Sequence, residues 1–373
     1  MRLANIFNLG VKELRSLMRD PIMLVLIVYA FTVAIYTAAS ATPETLNNAS
    51  IAIVDEDRTA LSTRLVSAFY PPYFNPPRLI SPAEMDAGMD DGTITFALDI
   101  PPNFQRDVLA GRKADIQLNV DATRVSQAFT GAGYIQTIVT TEVAAFLAHY
   151  RAATVLPVDL ALRMRFNPTA NKSWFGAVVE VINQVTLLSI ILTGAALIRE
   201  REHGTIEHLL VMPVTPFEIM ASKIWAMALV VVIATAIALF TVVRGLLGVP
   251  IQGSVALFLA GAVVNLFSTT ALGIVLATFA RSMPQFALLT MLVIMPLEIL
   301  SGGTTPRESM PQIVQDIMLA APTTHFVTMA QAILFRGAGF DVVWPQFAAL
   351  GGIGVVLFSI ALMRFRKAIM ETE

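Results

Sequence analysis

Five stretches of about 17 to 26 residues run with almost no charge, at Ile22–Ala39, Trp174–Ile198, Ile224–Val243, Val255–Ala280 and Val342–Met363, and a shorter one lies at Phe286–Leu300. A helix of roughly 20 apolar residues crosses about 30 Å of hydrocarbon. A soluble core of 373 residues has no room for this much apolar surface, because 55% of the residues are hydrophobic and only 14% are charged. The windows therefore predict six membrane spans, in a polytopic α-helical membrane protein whose main solvent is the lipid bilayer.

The spans are unevenly spaced. Residues 1–40 hold an N-terminal segment and span 1, residues 41–172 form a long insert, and residues 173–373 hold spans 2–6, a one-plus-five layout. An even number of spans leaves both termini on one side. Eleven cations (Arg2, Lys12, Arg15, Arg19, Arg199, Arg201, Lys223, Arg281, Arg364, Arg366, Lys367) fall on that side and three (Arg244, Arg307, Arg336) in the short loops opposite. Positive charge stays inside, so both termini are expected in the cytoplasm and residues 41–172 outside it. Trp174, Trp225 and Trp344 fall at span ends, where interfacial anchors belong. Leu3, Phe7, Gly10, Leu14 and Leu17 recur at three- and four-residue steps, which predicts an interfacial amphipathic helix before span 1. The first apolar run is too long for a cleavable signal, and the chain has no cysteine.

The insert reads as a small α/β domain, with strands at Ile51–Val54, Thr93–Ile100 and Ile116–Val120. Helices are predicted at Leu61–Phe69, from Pro82 behind a Ser81/Glu84 capping box, at Asn103–Ala110, and over a long stretch near Arg124–Arg151. The Pro/Tyr-rich run 70–77 between the first two helices reads as a surface loop.

Between spans 2 and 3 sits a dense charged run, Arg199, Glu200, Arg201, Glu202, His203, Gly204, Thr205, Ile206, Glu207, His208, Leu209, Leu210, Val211, Met212, Pro213. Each charge costs roughly 2.5–3.5 kcal/mol at a bilayer centre, so the run lies outside the membrane. Thr205 can cap a short helix with an apolar ridge of Ile206, Leu209 and Leu210, stopped by Pro213, and Thr215-Pro216-x-Glu218 starts the next helix with another capping box. Glu200 and Glu202 would pair with a partner's basic groups or lock onto Arg199 and Arg201. The chain itself carries no phosphate loop, since no Gly-Lys dipeptide occurs, and its four histidines have no metal-ligand spacing. No catalytic or metal site and no cofactor is expected on this chain, and no nucleic-acid partner.

Within the spans Glu298, behind Pro296 and before Ser301-Gly302-Gly303, reads either as a carboxyl lining a wet cavity or as a helix-end carboxyl at the interface. Glu180, Asn183 and Gln184 either line a pathway or join helices by hydrogen bonds. Residues 303–341 form two short apolar helices broken at Pro322, each too short to cross, and read as a re-entrant hairpin entering from the outer face.

The charged turn, Arg-Glu-Arg-Glu-x-Gly-Thr-x-Glu-x-Leu-Leu-x-x-Pro followed by Thr215-Pro216-x-Glu218 and Lys223, resembles the cytoplasmic coupling region of ABC-2-type exporter permeases. The spans, the insert and the stretch from Ser301-Gly302-Gly303 through Pro322-Thr323-Thr324-His325-Phe326 to Arg336-Gly337 resemble the YhhJ-like branch of bacterial inner-membrane permeases, along essentially the whole chain. The resemblance implies an exporter half in the inner membrane that dimerises with a second copy or a homologue, with residues 41–172 periplasmic. It implies a separate cytoplasmic ATPase that holds the ATP and Mg, and relatives that work with a membrane-fusion adaptor and an outer-membrane duct. It assigns ATPase coupling within 199–223 to Arg199, Glu200, Arg201, Glu202, Gly204, Thr205, Glu207, Leu209, Leu210 and Pro213. Glu180, Asn183, Glu298 and His325 are then candidates for the substrate pathway. The alternative from a different class is a proton-coupled secondary transporter using Glu298, against which the absence of inverted repeats speaks.

Overall fold

The computed structural model describes residues 3–40, 48–121, 125–150, 172–202, 204 and 213–370. The chain forms two compact units, one of Met1–Thr42 with Met164–Glu373 and one of Pro43–Arg163. The first begins with α1 (Leu3–Met18) and α2 (Pro21–Ser40), which contains a π-helical turn at Ala30–Ala34. Asp20 separates them: its carboxylate accepts the Met23 amide at 3.2 Å, and Pro21 fills the first helical position where no amide is needed.

The inserted unit holds a four-stranded sheet in the order β2-β1-β3-β4, with β1 (Ile51–Asp55), β2 (Arg78–Leu79), β3 (Phe96–Ile100) and β4 (Gln117–Val120). β1 is parallel to β2 and β3, and β4 is antiparallel to β3. Four helices accompany the sheet: α3 (Ala60–Ser67), α4 (Pro82–Asp90), α5 (Phe104–Leu109) and α6 (Val125–Tyr150). Central β1 and β3 are buried on both faces, as strands covered on both sides must be. Ile51, Ile53, Phe96, Leu98 and Ile100 join Leu61, Leu65 and Ile135 on one face, while Ala52 and Ala97 meet Ile94, Met85 and Met89 on the other. The Ser81/Glu84 capping box starts α4, and Thr59 with Ser62 builds a second at α3. The Pro/Tyr-rich run is more than a surface loop. Phe74 is fully buried against Phe69 and Phe96, and Ala49 bridges to Phe74. β2, a two-residue edge strand directly after it, escapes any pattern of alternation because two residues cannot show one.

The chain returns through α7 (Lys172–Glu202), α8 (Pro216–Leu246), α9 (Val255–Phe279), α10 (Met283–Ile299), α11 (Gln312–Met318), α12 (Pro322–Leu334) and α13 (Phe340–Met370). Of these helices α2, α7, α8, α9 and α13 are long and apolar enough to cross a membrane, and α10, with 17 residues and Pro296 inside it, is shorter. α11 and α12 meet at 90°. The residue before a proline avoids helical backbone, and Ala321 is extended, so the chain turns there. His325 Nε2 sits 2.9 Å from the Leu319 carbonyl oxygen across the bend and satisfies an acceptor that the end of α11 leaves open.

α7 is the central helix, buried over most of its length, with α2, α8, α9, α10 and α12 packed against it. A hydrogen bond between Ser189 and Thr269 hydroxyls, 2.6 Å, joins it to α9. The outward faces are aliphatic: Ile22 and Val25 on α2, Ile233 and Ile237 on α8, Leu288 and Leu292 on α10, and Val355 and Val356 on α13 are exposed. Only hydrocarbon accepts such a surface around an all-helical bundle. The chain is a polytopic membrane protein.

Candidate functional site

α8 opens with the expected capping box, in which the Glu218 amide donates to the Thr215 hydroxyl at 3.3 Å and the Thr215 amide to the Glu218 carboxylate at 2.9 Å. Two turns on, Lys223 is buried with its side chain only 2% exposed. Its ammonium lies 3.0 Å from Glu13 Oε1 on α1 and 2.8 Å from Glu200 Oε2 at the base of α7. Lys12 Nζ reaches Glu200 Oε1 at 2.6 Å and Glu13 Oε1 at 3.5 Å. Two carboxylates around one buried ammonium leave an excess negative charge, which half-exposed Lys12 neutralises. Burial works to lower the pKa of Lys12, but the hydrogen bond and charge of Glu200, helped by Glu13, hold it above the ordinary lysine value. Lys12 therefore stays charged.

Glu13 reaches this position because Gly10 lets α1 lie flat on α8. A Cβ at Gly10 would stand 2.1 Å from Trp225, whose indole N–H donates to the Ile6 carbonyl at 3.1 Å while its ring stacks on Phe7. The fully buried stripe of α1 is thus Gly10, Glu13 and Leu17, rotated from the predicted apolar face, and Leu3 and Phe7 remain exposed. Trp225, at the start of the apolar run of α8, is clamped under α1.

The four charged residues that close α7 engage four different surroundings. Arg199 pairs with Asp20 ahead of α2 at 2.5 Å, and Glu200 joins the Lys12/Lys223 cluster. Arg201 donates to the Ala280 carbonyl at 2.7 Å, where α9 ends with unfilled acceptors. Glu202 accepts the Met283 amide at 2.9 Å, at the start of α10, where a carboxylate suits the helix dipole. Glu200 and Glu202 thus have partners within this chain, among them Lys12, Lys223 and the Met283 amide. Gly204, at φ +66°, ends α7 in a left-handed turn that an L side chain resists. Pro213 is exposed where the chain re-enters, its carbonyl 3.5 Å from Asn5 Nδ2. Thr205, Glu207, Leu209 and Leu210 lie outside the described residues. Sequence reasoning missed Lys12, Glu13, Asp20 and Lys223 as members of this cluster. The available signals were a lysine at the very edge of an apolar run and a glutamate three residues after Gly10.

The pathway candidates separate. Glu180 on α7 accepts from Gln184 at 2.5 Å, and Glu298 lies near the end of α10, which packs against α7. One Glu298 carboxyl oxygen, the Gln184 amide oxygen and the Thr324 hydroxyl are enclosed with no hydrogen-bond partner among the described residues. The Thr323 hydroxyl at the start of α12 donates to the Leu297 carbonyl at 3.3 Å, tying α12 to the Glu298 region. Asn183 is partly buried on the same helix as Glu180. His325 is occupied at the α11–α12 bend.

Comparison with known proteins gives these arrangements a family. The model described as ABC-2 family transporter protein matches residues 21–363. Inner membrane transport permease YhhJ of Escherichia coli (strain K12) is 62% identical over 367 residues, 98% of each chain. Probable multidrug ABC transporter permease YbhR of the same organism is 28% identical over 362 residues, covering 96% of this chain and 97% of the relative. YbhS, named likewise, is 26% identical over 344 residues, 88% of each. With the matched region spanning α2 to α13 and a near full-length relative above 60% identity, the chain belongs to the ABC-2 family of transporter proteins.

Proposed function

We propose that this chain is the membrane-spanning half of an ATP-driven exporter in the bacterial inner membrane, pairing with a second copy or a homologue to enclose the substrate pathway. A cytoplasmic ATPase docks on residues 199–213 and holds the ATP and Mg. In this reading there are six spans, α2, α7, α8, α9, α10 and α13, in a one-plus-five layout. Both termini are cytoplasmic, residues 41–172 form a periplasmic domain placed to meet an adaptor and an outer duct, and 303–341 is a re-entrant hairpin from the outer face.

One observation carries the coupling role: the residues just before the turn, Arg199 to Glu202, are bonded to α1, α8 and the ends of α9 and α10. A force applied to the turn reaches several helices at once, as a coupling element requires. The test is co-purification with the ATPase followed by reconstitution. Replacing Glu207 and Leu209 together with Ala should lower ATPase association and substrate-stimulated hydrolysis with the spans still inserted. Wild-type association and transport in that variant would reduce the turn to a connector. Gradient-driven transport by the chain alone would instead favour proton coupling through Glu298.

A further inference from the structure

Beside the charge cluster a cavity of about 590 Å³ opens between α1, the start of α2 and the base of α7. Its lining includes Lys12, Arg15, Ser16, Arg19, Asp20 and Arg199, four cations to one carboxylate. Arg199 holds that carboxylate and Lys12 holds Glu200. Arg15, on the exposed side of α1, and Arg19, in the turn just past its end, are both exposed and have no acidic partner among the described residues. The neighbouring surface is greasy, with Met18 exposed at 74% and Ile22 at 76%, and Val25 follows along α2. Uncompensated arginines beside exposed aliphatics fit a ligand that is anionic at one end and apolar at the other.

We propose that this cavity binds the phosphodiester headgroup of an anionic phospholipid, whose acyl chains lie along the exposed aliphatics of α2. The apolar rim is what selects a lipid over a free phosphate of the same charge. The inference rests on α1 lying at the cytoplasmic membrane face, but it needs no ATPase, so failure of the coupling test leaves it standing.

The experiment uses the full chain in nanodiscs made from equal parts phosphatidylglycerol and phosphatidylcholine, with lipids retained after transfer to detergent counted by native mass spectrometry. Wild type should retain phosphatidylglycerol in clear excess. Arg15→Gln with Arg19→Gln should cut that retention roughly tenfold or more, while Arg366→Gln on α13 leaves it unchanged. Equal retention of the two lipids by wild type, or equal loss in the Arg366 control, overturns the proposal. A gel-filtration profile matching wild type shows that the double variant is folded, so undiminished retention there overturns it as well. Full displacement of the lipid by millimolar inorganic phosphate reassigns the cavity to a soluble anion and overturns the lipid assignment.

Discussion

Lys223 is the buried ammonium that joins α8 to α1 and to the base of α7. Removing it leaves two buried carboxylates with only half-exposed Lys12 beside them, and breaking a buried pair in this way costs roughly 3–5 kcal/mol. Lys223→Met should therefore lower the thermal midpoint of the purified protein by many degrees. Lys12→Met, at a side chain 49% exposed, should cost at most about 1 kcal/mol. Tryptophan fluorescence in detergent reads both, and a Lys223→Met midpoint within a degree of wild type would show that the cluster has no structural weight. Glu298→Gln keeps shape and removes the ionisable carboxyl; it should reduce transport severalfold at unchanged membrane abundance, and full transport would return Glu298 to an ordinary helix end. The two positions differ in legibility. Glu298 interrupts an apolar run and stands out in the sequence. Lys223 sits where the run begins, and of its two carboxylate partners Glu13 lies 210 residues earlier, a distance no local pattern spans.

Among the elements, α1 is held by a close approach that only glycine allows. Gly10→Val would drive its Cβ into Trp225 and should lift α1 from α8. In this cysteine-free chain, Asn5→Cys and Pro213→Cys joined by a short bifunctional maleimide report the contact. Crosslinking should be efficient in the wild-type background and fall severalfold with Gly10→Val; unchanged crosslinking would mean the helix tolerates the bulk. Amphipathic spacing made α1 legible as a helix but not which stripe is buried, because the buried stripe contains a charge, Glu13, that spacing assigns to water. Capping chemistry was read correctly at Ser81 and Thr215, where the signal is confined to four residues. The bend at Pro322 was legible for the same reason, since proline alters its immediate neighbour. The His325 contact that pins it was not.

For the whole molecule, sidedness and the inserted unit can be tested separately. Ser67→Cys and Thr305→Cys should react with an impermeant thiol reagent added to spheroplasts and Thr205→Cys should not; labelling at Thr205 would invert the orientation. In the inserted unit the Arg112 guanidinium, with Arg106, holds Asp107 below its ordinary 3.8, the Ser81 amide and hydroxyl hold Glu84 below 4.5, and the Thr93 hydroxyl and amide hold Asp91 below 3.8. Depressed carboxyl pKa values give stability that is fully present above the unfolded values and lost as pH falls through the lower folded ones. Residues 43–163 expressed alone should thus melt cooperatively at a midpoint flat from about pH 5 to 8 and falling below about pH 4, and a midpoint that rises on acidification would contradict these assignments. The span pattern was plain in the sequence because hydrocarbon imposes it on every residue. The buried cluster was not, and that cluster bears on how the protein is made. Glu13 leaves the ribosome before three-fifths of the chain exists, and Lys223 follows 210 residues later. Until then Glu13 has only its neighbour Lys12 beside it and no buried ammonium, so the first helix to be synthesised can take its place only after the start of α8 has arrived, and the oldest segment of the bundle waits on a younger one.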